Sequence, residues 1–457
     1  MLTAKRMLWG SLGLLLIIGL SIQLLFTASR KDLLLKTPFI PQSPPSNREK
    51  QTNTHHESSA NDEEHGPHPS SWTYIPSRDA DNPALNSQQC TLAFPNLYTE
   101  IDRSVAVWRD HRKHTITAAD TSISWRDNGA LRLLIHKNQL RILQTKHTAE
   151  FYLGRTRAVL LQINRALEGA TAVGWTLPTI EFSIVVDDLS LIPGPNHENP
   201  HITTMTFTRR ADADWYGDRQ WLIPDFNFWH TPASGEWRDA RAKAAKHDAY
   251  FVDKLPRVVW RGAVWTLPEV REALIAATRN KSWADVEEVD WKAGTNVMRT
   301  EDFCRYAFVV HTEGRSWSGR LKYLLNCDSL PVVHDLQWLA HYYHELVAEG
   351  EGQNFVRVRR DWADLEEKVG WFLERPEEAQ RVMENAKRDF RERATSVAGE
   401  ACYWRKLFEG WSQVAWVPEA METVRVNVTG LEGGEVEEER LRGMPFGEFV
   451  LSDENYP

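Results

Sequence analysis

Hydrophobic and polar positions change their period several times along the 457 residues. Met7–Phe26 (MLWGSLGLLLIIGLSIQLLF) carries no charge over 20 positions, long enough for a helix to cross a bilayer at about 1.5 Å per residue. Lys5 and Arg6 precede it and Arg30, Lys31 and Lys36 follow, so flanking charge sets orientation only weakly. The run exceeds the apolar core of a cleaved signal and predicts an uncleaved transmembrane signal anchor over 1–30. Thr27-Ala28-Ser29 supplies the small residues a cleaved alternative would need. Residues 31–86 are rich in Pro, Ser, Asn, His and Glu without apolar period, and predict a disordered stem. The stem histidines at 55, 56, 65 and 68 lack the spacing of a metal site.

Two bodies follow. In 87–254, Ala130–Leu143 alternates polar and apolar about Lys137-Asn138, predicting a hairpin. Apolar positions such as Leu153, Val159, Leu160 and Ile163 predict a helix over 147–167. Pro178–Asp188 then reads as a strand ending in two carboxylates, as in an open α/β sheet whose ligands gather outside the carboxyl ends of strands. In 255–420, strands are predicted at 257–262, 303–311, 329–333 and 355–358. Helices are predicted after Pro268, from Trp338, and over 361–394. That alternation predicts a second, parallel α/β sheet. The tail, 421–457, is acidic and glycine-containing, and is expected to contribute little chemistry.

The net charge of −9 excludes a general nucleic-acid binder, which needs a basic footprint. Twenty tryptophans suit either well-packed cores or sugar handling, where an indole stacks on a C–H face. Asn280-Lys-Ser and Asn427-Val-Thr are glycosylation sequons that fit a lumenal location. Cys90, Cys304, Cys327 and Cys402 allow two disulfides in three pairings. Without a Cys-x-x-Cys pair, a thiolate zinc site is not expected.

Chemistry concentrates in HTEGRSWSGRLKYLLNCDSLPVV, residues 311–333. Ser318 fits an N-cap that leaves the Gly319 and Arg320 amides free at a helix start, a seat for phosphate. Arg320 would add a bidentate contact to a diphosphate. The bland alternative is a capped helix whose arginine faces water. Arg261-Gly262, at the end of another strand, adds a second arginine beside a glycine that lets backbone approach a ligand. Asp187 or Asp188 could serve as general base for a hydroxyl, or merely cap a turn. Asp212-Ala-Asp214 resembles a metal-binding Asp-x-Asp but lacks a clear preceding strand. His341-Tyr-Tyr-His344-Glu345 has the wrong histidine spacing for a zinc helix and reads as a packed helix.

Trp260-Arg261-Gly262, Glu301–Cys304 and Glu313–Leu330 (EGRSWSGRLKYLLNCDSL), with Asp225-Phe226-Asn227-Phe228-Trp229, resemble the CAP10-like glycosyltransferases. That family joins fungal capsule-associated xylosyltransferases and animal protein O-glucosyltransferases. The resemblance implies an α/β fold of GT-B architecture, two Rossmann-like domains facing a cleft: an acceptor and catalytic-base domain at 87–254 and a nucleotide-sugar domain at 255–420. It implies inverting transfer of xylose or glucose from a UDP-sugar to a hydroxyl of a glycan or glycoprotein, by a hexosyl- or pentosyltransferase. The base falls at Asp188, with Asp187 one residue off. The nucleotide-sugar contacts fall at Arg261, Gly262, Gly314, Ser316, Ser318 and Arg320, and the acceptor side at Phe228 and Trp229. Cys304 would pair with Cys327, leaving Cys90 with Cys402. No metal is implied as required, with manganese the alternative. With an anchor and no retrieval tetrapeptide, a single-pass type II Golgi protein with a lumenal body is expected, the ER membrane being the alternative. The rival function is a catalytically degenerate glycan-binding protein of the same fold.

Overall fold

The computed structural model describes residues 72–146, 150–212, 217–231, 234–427 and 435–452, all within one compact unit. The expected anchor and the stem up to 71 lie outside the described residues. Among the described residues no helix is long and apolar enough to cross a membrane. The stem reading is corrected from Trp72 onward, where the chain is already packed. Tyr74, Ala80 and Leu85 are buried, and the Tyr74 hydroxyl donates to the Glu392 carbonyl. These apolar residues are too sparse to show a period, so composition alone hid them.

Helices α1 (Ser87–Ala93) and α2 (Thr99–Ala106) lead into the first sheet. Asn86 caps α1 in a reciprocal box with Gln89. Strands β1 (Ala130–His136) and β2 (Gln139–Lys146) form the expected hairpin. Lys137 and Asn138 take φ of 48° and 60°, the left-handed pair that a tight two-residue turn requires. Helix α3 (Glu150–Ala172) crosses to β3 (Ile180–Val185), which lies antiparallel to β1. Strands β4 (Thr204–Thr206) and β5 (Gln220–Leu222) continue parallel to β3. The sheet is therefore mixed rather than Rossmann-like throughout. The hairpin forces β1 against the run of its neighbours, because a two-residue turn joins only antiparallel strands.

Helix α4 (Trp237–Ala245) precedes the second sheet. Its strands are β6 (Leu255–Gly262), β7 (Ala284–Glu288), β8 (Tyr306–His311), β9 (Leu330–His334) and β10 (Val356–Val358). They are ordered β7-β6-β8-β9-β10 and parallel at every pairing. One face packs on α5 (Pro268–Thr278) and, beyond the single turn α6 (Leu321–Leu324), on α7 (Leu365–Leu373) and α8 (Pro376–Ala386). The other face meets α4, α6 and the Cys304–Cys327 disulfide. Cover on both faces is what a parallel sheet needs.

The chain then returns to its beginning. Helix α9 (Val397–Ser412) lies in the core of the first sheet with α3, although its number places it in the second body. Cys402 on α9 is bonded to Cys90 on α1. The tail, expected to contribute little chemistry, has a structural part. Strand β11 (Met444–Pro445) adds to β2, Arg442 pairs with buried Glu181, and Phe449 enters the core. The helix expected from Trp338 is absent. Trp338–Leu339 instead pairs antiparallel with Arg209–Arg210, and only a 3-10 turn, Tyr343–Glu345, follows. The Gln337 and Trp338 amides both donate to buried Glu313, which pins this stretch extended.

Candidate functional site

At the carboxyl end of β3 the two adjacent aspartates have different surroundings. Asp187 accepts from Arg126 at 2.7 Å, from the Tyr152 hydroxyl at 3.2 Å and from the Asp188 amide at 2.7 Å. Burial pushes its carboxyl up, but Arg126 and these donors outweigh burial and hold it below the usual carboxylate range. Asp188 is more open, with 35% of its side chain exposed against 17% for Asp187. Its Oδ1 accepts from Arg155 at 2.8 Å, and no protein donor among the described residues takes its Oδ2. Arg155 is itself fixed between the rings of Phe151 and Phe226, 4.0 and 4.5 Å from its guanidinium carbon. Asp188 is thus a positioned carboxylate with a free oxygen, whereas Asp187 is committed to structure.

The loop after β8 comes to meet it. The Ser316 hydroxyl donates to the Asp188 carbonyl at 2.5 Å, joining the ends of strands from the two sheets. The expected capped helix is corrected here, since α6 is a single turn. The Ser318 hydroxyl accepts the Arg320 amide at 3.4 Å and the Ser318 carbonyl accepts the Leu321 amide at 3.2 Å. One turn sums few peptide dipoles, so charge for an anion must come from side chains. Gly319 is closely approached: a Cβ there would lie 2.6 Å from the Asn227 side-chain nitrogen, which would have to shift.

Three arginines serve this corner differently. The Arg261 guanidinium is turned to Asp285 on neighbouring β7 and does not face the corner. Its carbonyl instead accepts from Arg320. Arg320 has no carboxylate partner among the described residues, and burial lowers its pKa to about 10. Arg271, on α5, is in the same position. It donates to the Ala263 carbonyl at 2.5 Å and to the Glu313 carbonyl at 3.0 and 2.8 Å, and burial followed by Arg320 lowers it to about 10. Two unneutralised cations thus stand where the loops after β6 and β8 converge. Gly262 lets those loops close, because a Cβ there would meet the Trp260 ring at 2.7 Å. Buried His311, the last residue of β8, lies near both arginines, and burial, then His334 and these cations, hold its pKa well below the usual histidine range. Neither of its ring nitrogens has a partner among the described residues.

Arg271 and His311 were not anticipated. Arg271 did carry a signal, since it is a lone cation between Val270 and Leu274 on the apolar stripe of its helix. Gly314 sits against Arg271 and returns its amide to the Ser316 carbonyl at 3.0 Å. Phe228 is corrected from the acceptor side to the core: it is fully buried against Trp237, His341 and Tyr342. Trp229 is half-buried under Arg165. Asp212 is paired with Arg210, and Asp214 lies outside the described residues. Buried His341 packs on Tyr403, whereas His344 reaches Glu100 at 2.5 Å, so the two histidines do not converge. Among the described residues no three His, Cys, Asp or Glu side chains gather as a metal site would need. Asn280 is exposed at the end of α5, and Asn427 ends a strand whose following residues lie outside the described ones.

The corner thus brings a strand end with a half-open carboxylate, through Ser316, to the loop that carries the buried cation Arg320. The family model described as glycosyl transferase family 90 matches residues 86–434. Protein O-glucosyltransferase 3 of Rattus norvegicus is 24% identical over 220 residues, 45% of this chain and 42% of the relative. Protein O-glucosyltransferase 2 of Danio rerio is 30% identical over 115 residues, 25% of this chain and 22% of the relative. O-glucosyltransferase rumi of Drosophila pseudoobscura pseudoobscura is 22% identical over 263 residues, 52% of this chain and 61% of the relative. The chain therefore spans less than two thirds of the length of each of these relatives.

Proposed function

Since the chain belongs to glycosyl transferase family 90, we propose that it moves glucose or xylose from a UDP-sugar to a hydroxyl of a glycan or glycoprotein, with inversion. The observation that supports this is the hydrogen bond from the Ser316 hydroxyl to the Asp188 main-chain carbonyl, which ties the strand end bearing a half-open carboxylate to the loop that leads to Arg320. In this reading Asp188 Oδ2 takes the proton of the acceptor hydroxyl. The hydroxyl oxygen forms its bond to the anomeric carbon as the bond to UDP breaks. Arg320 and Arg271 stabilise the charge on the departing diphosphate, the kind of preorganised electrostatic help that dominates many enzymes. Arg261 acts through its carbonyl, which orients Arg320. Ser316 and Ser318 order the loop, while Gly262, Gly314 and Gly319 keep it close to its neighbours.

The names of the relatives favour glucose over xylose as the donor sugar, and a protein hydroxyl among the acceptors. Two disulfides fit an oxidising compartment. A lumenal Golgi body anchored through Met7–Phe26 belongs to the same proposal. The GT-B description belongs to it as well, the two sheets presenting their strand ends to one another at Asp188 and Ser316. The test is a panel of UDP-sugars, including UDP-glucose and UDP-xylose, scored for UDP release and for transfer to glycan and folded-protein acceptors. Turnover with one of these two donors is expected. Glycan binding without turnover of any donor would overturn it in favour of the degenerate binding protein.

A further inference from the structure

Eight of the described tryptophans are buried, and seven of them rank among the largest fully buried side chains. Trp265 and Trp291 are the reverse, 71% and 64% exposed. Trp265 stands in the loop between β6 and α5, four residues beyond Arg261. Trp291 stands in the turn after β7, the neighbouring strand of the parallel sheet. Both tryptophan-bearing loops therefore lie at the same strand ends as the arginine corner, and the Val289 amide ties the two loops by donating to the Gly262 carbonyl at 3.0 Å.

The Trp291 turn is built rather than loose. Asp290 Oδ1 accepts the Lys292 and Ala293 amides at 2.9 and 3.0 Å. Asn296 donates to the Glu288 carbonyl at 2.9 Å, and Asp290 bridges to Thr295. A held turn that leaves its one large apolar side chain in water fits a binding surface. Its rim is acidic: Glu287, Glu288, Asp290 and Glu269 are exposed, against Lys292 and Arg299.

We propose that Trp265 and Trp291 form a carbohydrate-stacking surface for an extended oligosaccharide of glucose or xylose units. Indole faces take the C–H faces of sugar rings, and the carboxylates accept their hydroxyls. Two alternatives fit less well. An anionic leaflet would be repelled by the acidic rim. A protein partner would find about 300 Å² on the two indoles, against about 800 Å² per side in a stable interface. As an acceptor subsite this rests on the transferase reading, but as a glycan surface it can be tested without it.

The experiment is affinity electrophoresis and calorimetry of the full chain with cello-, laminari-, malto- and xylo-oligosaccharides. Wild type should bind at least one series. Trp265→Ala combined with Trp291→Ala should lose about tenfold or more in affinity, while the Phe pair at the same positions retains most of it. UDP affinity and melting temperature should not move, since both side chains are exposed, so a failure of the UDP site would be seen separately. No binding to any series by wild type would overturn the proposal, as would full binding by the double Ala variant. Loss in that variant of vesicle co-sedimentation or of self-association, with glycan binding intact, would also overturn it and assign the indoles to a membrane or a second copy.

Discussion

Local pattern does not tell Asp187 from Asp188; the family resemblance puts the base at Asp188, and the physical difference comes from Arg126, Tyr152 and Arg155, which arrive from 61, 35 and 33 residues away. The same holds for the arginines. Arg261 and Arg320 were legible because each ends a glycine-bearing turn, yet only Arg320 keeps its charge free of a carboxylate. Arg261 is neutralised by Asp285 on the neighbouring strand, two positions out of register with it, a pairing that no local pattern announces. Arg271 takes its place from a helix. Arg271→Ala and Arg320→Ala are each expected to weaken UDP about 10- to 100-fold, as loss of a charge-assisted contact of about 1.5–3 kcal/mol implies. Calorimetric titration with UDP checks this, and unchanged affinity in both would remove the phosphate role.

Elements were legible where periodicity was long or turn chemistry specific. The Lys137-Asn138 hairpin and the parallel strands of the second sheet are of this kind. They were illegible where a buried polar group overrides propensity. Trp338–Leu339 is extended because Glu313 collects its amides, and α6 stops after one turn. That turn still does structural work: Lys322 Nζ lies 2.6 Å from both oxygens of Asp225, with both side chains buried. It also stands 4.7 Å from the Phe228 ring centre. The aromatic segment 225–229 therefore matters as the dock for α6, and through α6 for Arg320. Lys322→Met should cost about 3–5 kcal/mol by leaving Asp225 buried and unpaired. Adding Asp225→Asn should recover part of that loss in denaturant titration. A neutral single variant would contradict the ion pair.

The 3-10 turn after Trp338 offers a pH test. Burial and then Asp389 raise Glu345 from 4.5 to about 7. The folded chain thus keeps a proton that the unfolded chain releases between these values, so this contribution to stability is full below pH 4.5 and is lost as pH rises through 7. Glu345→Gln should flatten that part of the stability profile. An unchanged slope between pH 4.5 and 7 would rule this group out.

At the scale of the whole molecule, the two sheets were visible, but not how the chain knits them together. Helix α9 and the tail return to the first sheet across more than 200 residues, the Cys90–Cys402 bond being separated by 312. Such contacts leave no trace in local pattern, and the pairing of cysteines came only through family resemblance. The knitting matters because the candidate base lies on one sheet and the cations on the other, so the account requires both to act in one transfer. The direct test compares wild type with Asp188→Asn in parallel assays of UDP-sugar transfer and UDP binding. Transfer should fall by about 100-fold or more while UDP affinity is retained. Transfer near the wild-type rate in Asp188→Asn would contradict the account.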